Sequence, residues 1–190
     1  MQKLKDAIVT RGRAINSDVL LVDSFLNHQI DVALMRDIGE AFAEHFKNGH
    51  FDRVVTIESS GIAPASFTAL AMGLPLVVMK KQTSRITTGE LFQTTVRSFT
   101  KGTEYELTVK SEFLHPGDNI LFIDDFLASG EAAFGMIHLA QKAGATVGGI
   151  GIVIEKAFQP GHQRLIEEGM NLYSLARVHS MSEKGIEFID

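Results

Sequence analysis

Ile120-Leu121-Phe122-Ile123-Asp124-Asp125-Phe126-Leu127-Ala128-Ser129-Gly130-Glu131-Ala132 changes chemical character twice within one short stretch. Asn119 to Ile123 is apolar enough for a buried strand, and two adjacent carboxylates follow at its C-terminal end. A turn of small residues then opens a helix, Glu131 to Ala143, that Gly144 closes. A strand–turn–helix step of this kind belongs to a parallel sheet, whose carboxyl edge gathers loops and helix N-termini and is where ligands bind. Ala128, Ser129 and Gly130 let backbone N–H groups approach an anion, the helix N-terminus adds about half a positive charge, and the Ser129 hydroxyl is one more donor. The carboxylates repel an anion, so they address a different part of the ligand: vicinal hydroxyls, or a hydrated Mg²⁺. A ribose 5-phosphate meets both demands, with its phosphate in the turn and its 2′ and 3′ hydroxyls on Asp124 and Asp125.

Working outward, the same alternation repeats. Arg53 to Ile57 reads as a strand, Ala63 to Met72 as a helix closed by Gly73, and Leu74 to Met79 as a second strand. Thr146 to Ile154 is another strand, Pro160 to Glu168 a short helix followed by Gly169, and Leu172 to Val178 and Ile186 to Ile189 are late strands. Upstream, Leu4, Ala7 and Ile8 mark a helix that stops at Gly12, and Val19 to Val22 is a short strand. Asp31 caps a helix whose stripe is Leu34, Met35, Ile38, Ala41, Phe42, His45 and Phe46, ending near Asn48-Gly49. Near-continuous apolar strands alternating with helices predict one α/β domain over 1–190, with a mostly parallel central sheet covered on both faces. A phosphoacceptor receiver domain also carries strand-end aspartates, but near its N-terminus rather than two-thirds along. Between Lys80 and Phe113 the chain turns polar; so long an insertion predicts a mobile lid, over about 82–110, with Arg97, Lys101 and Tyr105 as its contributors.

The chain's 190 residues, 45% hydrophobic and 22% charged, suit one folded domain and exclude a disordered or fibrous chain. Its 18 basic and 23 acidic residues leave a net charge of −5, which lacks the footprint of a nucleic-acid binder. There is no cysteine, so disulfides, thiolate zinc and cysteine nucleophiles are excluded together. No apolar run reaches the length of a membrane span, and the expectation is a cytoplasmic protein. The seven histidines show no metal-ligand spacing.

Two further clusters sit at strand ends. Glu58-Ser59-Ser60-Gly61 follows one strand, where it is either a plain capped turn or a second anion-binding loop. Lys80-Lys81 follows the next strand, either as a solvated edge or as cations for a leaving pyrophosphate.

The Asp124 segment resembles the signature of type I phosphoribosyltransferases: apolar residues, then Asp-Asp-x-x-x-Thr/Ser-Gly-x-Thr. Here Ser129 takes the usual Thr position, and Ala132 stands where a second hydroxyl is common, which shifts more of the phosphate binding to backbone groups. The resemblance implies the type I phosphoribosyltransferase fold with a small hood, formed by about residues 1–30 and the C-terminal segment, and a flexible lid loop. It also implies 5-phosphoribosyl 1-pyrophosphate (PRPP) as co-substrate with Mg²⁺, and a homodimer. Within that family, Asp23 to Asp31, Thr56 to Pro64 and Ile154 to Gly161 are similar to the xanthine-using purine-salvage branch, nearly end to end. That implies Leu20, Asn27, Lys156 and Phe158 on the base; Ala128, Ser129, Gly130, Glu131 and Ala132 on the phosphoribosyl group; and Glu58, Ser59, Ser60, Gly61, Lys80 and Lys81 on the pyrophosphate, with the metal carried by PRPP. Asn27 offers donor and acceptor to a purine edge, the Lys156 cation suits oxo groups, and Phe158 can stack, although spacing alone favours a surface Lys and a core Phe. A transferase for adenine, guanine or hypoxanthine, or a PRPP-sensing regulator without catalysis, is the alternative. No basic helix-turn-helix segment favours the regulator.

Overall fold

The computed structural model describes residues 1–81, 90–98 and 103–189. The chain opens with α1 (Gln2–Arg11), a ribbon of β1 (Arg13–Ala14) and β2 (Leu20–Leu21), a π-helical turn over Asp23–Asn27, and α2 (Val32–Phe46). Next come β3 (Arg53–Ile57), α3 (Ile62–Met72), β4 (Leu76–Met79) and a hairpin of β5 (Leu91–Ser98) and β6 (Thr103–Lys110). The second half runs β7 (Asn119–Leu127), α4 (Glu131–Lys142), β8 (Thr146–Lys156), α5 (Gly161–Glu167), β9 (Leu172–Ser182) and β10 (Gly185–Ile189).

Six strands form the central sheet in the order β10-β9-β8-β7-β3-β4, parallel throughout except where β10 returns against β9. From β3 the chain steps outward to β4, whereas from β7 it steps the opposite way to β8 and β9. The order therefore reverses between β3 and β7, and a crevice opens beyond their carboxyl ends.

Each helix forms for a local reason and buries a defined face. The Asp31 carboxylate accepts the Leu34 N–H at 3.1 Å, capping α2, whose stripe of Leu34, Met35, Ile38, Phe42 and Phe46 is buried against the sheet. With α1 and α3 this makes the core on one face. On the other face Met136, Leu139 and Ala140 of α4 pack on Ile120 and Phe122 of β7. Truncating Phe122, which is wholly buried, to Ala would cost about 3–5 kcal/mol.

The structure departs from sequence expectation at one strand end. The strand that was to end at the carboxylates runs on to Leu127, because β8 continues beside it and pairs Phe126 with Ile154 and Leu127 with Glu155. The stretch expected as a lid is, where described, the β5–β6 hairpin: Val96 (3% exposed), Leu107 and Val109 join the core around α4. Residues 82–89 and 99–102, with Lys101, lie outside the described residues. Of the segments expected as a hood, residues 13–31 form an N-terminal lobe of the β1–β2 ribbon and the π-helical turn, whose Leu20, Val22, Phe25 and Leu26 join the same core cluster as α1 and α2; the terminal amine before α1 donates to the Leu175 carbonyl at 2.8 Å. The C-terminal segment supplies the edge strand β10 of the main sheet.

Candidate active site

At the switch point the loop after β3 meets the end of β7. Asp124 is 7% exposed and accepts the N–H of Asp125 at 3.0 Å. Gly61 closes over it so tightly that a Cβ there would stand 2.3 Å from Thr56 Oγ1 and 2.7 Å from Asp124 Oδ1. The loop Glu58 to Gly61 and the carboxylate pair, far apart in sequence, thus form one surface. The peptide between Glu58 and Ser59 is cis. Burial, and then the adjacent Asp125 charge, pushes the Asp124 carboxyl well above the usual carboxylate range, with the Lys81 charge pulling the other way. Asp125 is half-buried.

Beyond Asp125, β7 hands over to the small-residue turn. Gly130 sits at φ 91, in the left-handed region that other residues adopt only with strain, and starts α4. The Gly161 N–H donates to the Ala128 carbonyl at 2.9 Å, and the Arg164 guanidinium to the Ser129 carbonyl at 2.6 Å. Arg164 also binds the Glu131 carboxylate at 2.6 Å and lies 4.5 Å from the Phe134 ring centroid. Ser129, Glu131 and Ala132 are half-buried around the turn.

The pyrophosphate candidates are tied together. Glu58 accepts the Lys81 N–H at 2.7 Å and pairs with the Lys80 ammonium at 3.1 Å. Burial opposes its ionisation, but those two partners outweigh it and hold its carboxyl below the usual value. Lys80 is bridged to Thr108 of β6 through paired backbone bonds of 2.9 and 2.8 Å. The Lys81 ammonium lies 5.7 Å from the Tyr105 ring centroid. Burial, then Asp124 and Glu131, raises the Tyr105 hydroxyl, so β6 brings that side chain toward the carboxylates. Arg97 lines a cleft of about 480 Å³ with Phe134, His138 and Arg164.

At the end of β8 the Lys156 ammonium donates to the Asp18 carbonyl, in the loop between β1 and β2, and lies 5.4 Å from the Phe126 ring centroid. Burial lowers its pKa, while Asp18 and Asp125 oppose the shift. Phe158 is 41% exposed just beyond, available to stack rather than buried as core. Asn27 is exposed at the end of the π-helical turn, whereas Leu20 is buried with its side chain in the core. The structure therefore gathers Asp124, Asp125, the 58–61 loop, Lys80, Lys81 and the 128–132 turn at the switch point, and links Lys156 to the lobe that carries Leu20 and Asn27.

Sequence reasoning passed over several contributors. Thr56 is wholly buried beside Gly61 with its hydroxyl unpartnered among the described residues. Arg164 was read only as part of a short helix, Gly161 as the end of a segment assigned by resemblance, and Phe126 was given no role. Glu155, 0% exposed, accepts from Ser174 Oγ at 2.5 Å, Arg177 Nε at 2.8 Å and His162 at 3.1 Å. Burial raises its pKa, but Ser174, Arg177 and His162 together bring it below the usual value. A lone carboxylate closing the run Ile152-Val153-Ile154 is a signal that could have flagged it.

Comparison with known proteins matches the arrangement. A family model described as "Phosphoribosyl transferase domain" fits residues 23–165. A xanthine phosphoribosyltransferase of Clostridium botulinum is 55% identical over 98% of this chain and 97% of its own length. One of Agathobacter rectalis is 51% identical over 100% and 99%. Among solved structures, an adenine phosphoribosyltransferase of Giardia lamblia complexed with 9-deazaadenine superposes with a TM-score of 0.79 at 22% identity, covering 93% of this chain and 98% of that one. One from Thermoanaerobacter pseudethanolicus gives 0.77 at 19%, covering 93% and 98%. These last two likenesses establish the fold, the mostly parallel phosphoribosyltransferase sheet.

Proposed function

The chain belongs to the phosphoribosyl transferase domain family, and from that premise we propose that it transfers the 5-phosphoribosyl group of PRPP to xanthine, giving xanthosine 5′-monophosphate and pyrophosphate. The observation that carries the reading is the meeting of carboxylate pair, small-residue loop and phosphate turn at one switch point, with Gly61 packed directly on Asp124. Full-length relatives named for xanthine support the choice of base.

In this reading the 5-phosphate lies in the 128–132 turn and the ribose hydroxyls donate to Asp124 and Asp125. A ring nitrogen of the base forms a bond to C1′ as the bond from C1′ to the pyrophosphate oxygen breaks; the electron pair leaves with pyrophosphate, and the imidazole N–H proton of the base is released to solvent. The carboxylates favour the positive charge that develops on the sugar, while the Lys81 ammonium and the 58–61 loop face the departing anion. Lys156 supplies N–H donors to the oxo groups of the base, and Phe158 offers a face for stacking. No side chain acts as a nucleophile; acceleration comes from positioning and preorganised charge.

Among the described residues no three His, Asp or Glu side chains gather into a metal cage. Two neighbouring carboxylates suit a Mg²⁺ that travels on PRPP, with Asp124 and Asp125 holding it through water; when bound it supplies charge neutralisation at the pyrophosphate. No described helix is long and apolar enough to cross a membrane. A cytoplasmic homodimer belongs to the same proposal, on family membership alone.

One assay tests the function. The protein is incubated with PRPP, Mg²⁺ and each purine base in turn, and pyrophosphate and nucleotide are measured. Turnover with xanthine is expected. Binding of PRPP without turnover on any base would select a regulator, and turnover on adenine alone would overturn the substrate.

A further inference from the structure

Helix α5 touches neither the carboxylates nor the 58–61 loop, yet it holds the phosphate turn from behind. Two successive carbonyls of the turn point at it: Ala128 O receives the Gly161 N–H at 2.9 Å, and Ser129 O receives the Arg164 guanidinium at 2.6 Å. A trans peptide directs its C=O and N–H in opposite senses. Tying those two carbonyls to α5 therefore turns the N–H groups of Ser129 and Gly130 away from α5, into the turn. Neither N–H has an acceptor among the described residues. The same guanidinium nitrogen binds Glu131 at 2.6 Å, fixing the first residue of α4, and the guanidinium lies against Phe134. The other side of α5 is anchored by His162 on the buried Glu155 at 3.1 Å, so the strut cannot simply follow the turn if it shifts.

We propose that Arg164 is a positioning residue for phosphoribosyl binding: it presets the Ser129 and Gly130 N–H groups for the 5-phosphate without touching the substrate. The proposal rests on the reading that the 128–132 turn holds that phosphate.

The inference separates Arg164 from a merely structural ion pair through its kinetic signature. Arg164→Met removes two charge-assisted hydrogen bonds from a partly exposed site, so the KM for PRPP should rise about tenfold, with kcat and the KM for the base within about twofold. Arg164→Lys keeps a cationic donor but loses the planar contact with Phe134, and should fall between wild type and Arg164→Met. Gly130→Ala, which forces a Cβ into the left-handed conformation, tests the turn itself in parallel and should also raise the KM for PRPP. If Gly130→Ala raises it and Arg164→Met does not, or if Arg164→Met raises both KM values together, the role of Arg164 is overturned while the turn stands. If neither variant moves the KM for PRPP, the turn does not hold the phosphate and both readings fall. Thermal melts of all three variants identify a fold defect; should Arg164→Met not fold, Arg164→Lys decides, and an unchanged KM for PRPP in it refutes the inference.

Discussion

At the turn between β7 and α4 the groups proposed to face the ligand are peptide N–H donors, and the carbonyls of the same peptides are fastened to Gly161 and Arg164. At the end of β8 the corresponding element is one long side chain, Lys156, fastened to the Asp18 carbonyl of a lobe whose strands are two residues each. The first region is written in the backbone and held from behind by a helix. The second is written in side chains. A phosphate presents the same oxygens whatever base will be joined to its sugar, so a fixed cradle suits it. A base must be told from its near relatives, and a few replaceable polar contacts do that.

The largest effect should come from the carboxylates between these regions. Replacing Asp124 and Asp125 together with Asn removes both negative charges and one acceptor oxygen from each side chain, and should reduce pyrophosphate release by about 10²–10³-fold, a loss on the scale of removing a preorganised charge-stabilising group. The fold should survive, because Asn has nearly the shape of Asp and burial opposes the Asp124 charge. Near-normal turnover in that variant would remove the sugar from this end of β7. Gly61→Ala ranks next. Its new methyl would collide with Thr56 Oγ1 and Asp124 Oδ1, and overpacking of that kind costs about 1–3 kcal/mol. Melting temperature and turnover should fall together, and an unchanged variant would show that the loop and the carboxylates are not in register.

Glu155 offers a way to sharpen the contrast through pH. Its partners hold its folded pKa below the usual 4.5 of a glutamate. The stabilisation from its ion pairs is therefore complete above that pH and is lost as pH falls through and beneath it. Glu155→Gln leaves Arg177 and His162 without their anion; because both are partly exposed, the cost should be about 2 kcal/mol rather than the larger value of a fully buried pair. Denaturant unfolding at pH 7 and pH 4 should show the wild type and Glu155→Gln far apart at the first and closer at the second. A constant gap would contradict the linkage. The smallest effect belongs to the base end: Lys156→Met should raise the KM for xanthine about tenfold, the scale of one lost charged hydrogen bond, and leave the KM for PRPP alone. A matching rise in both would mean that the two regions are not separable.

Much of this contrast was legible beforehand, for a physical reason. The β7–α4 step is local: an apolar run, two carboxylates, small residues and a helix follow one another, so their order alone specifies the chemistry. The parallel sheet followed from the same alternation. What order could not supply was tertiary. Arg164 and Gly161 reach the turn from a helix beyond β8, and Thr56 matters because Gly61 folds back on it. The pairing of β5 with β6 was not legible either: Thr, Glu and Lys dominate the outer face of the hairpin, and Val96, Leu107 and Val109, alternating inward, are what join it to the core around α4. Leu20 was assigned to the base from resemblance; its side chain is in the core, so a contact with the base falls to its backbone.

The most direct test is a crystal structure of the protein with ribose 5-phosphate. The phosphate oxygens should lie about 3 Å from the amide nitrogens of Ser129 and Gly130, with the sugar hydroxyls on Asp124 and Asp125. A phosphate bound at any other place, with those two amides facing solvent, would contradict the account.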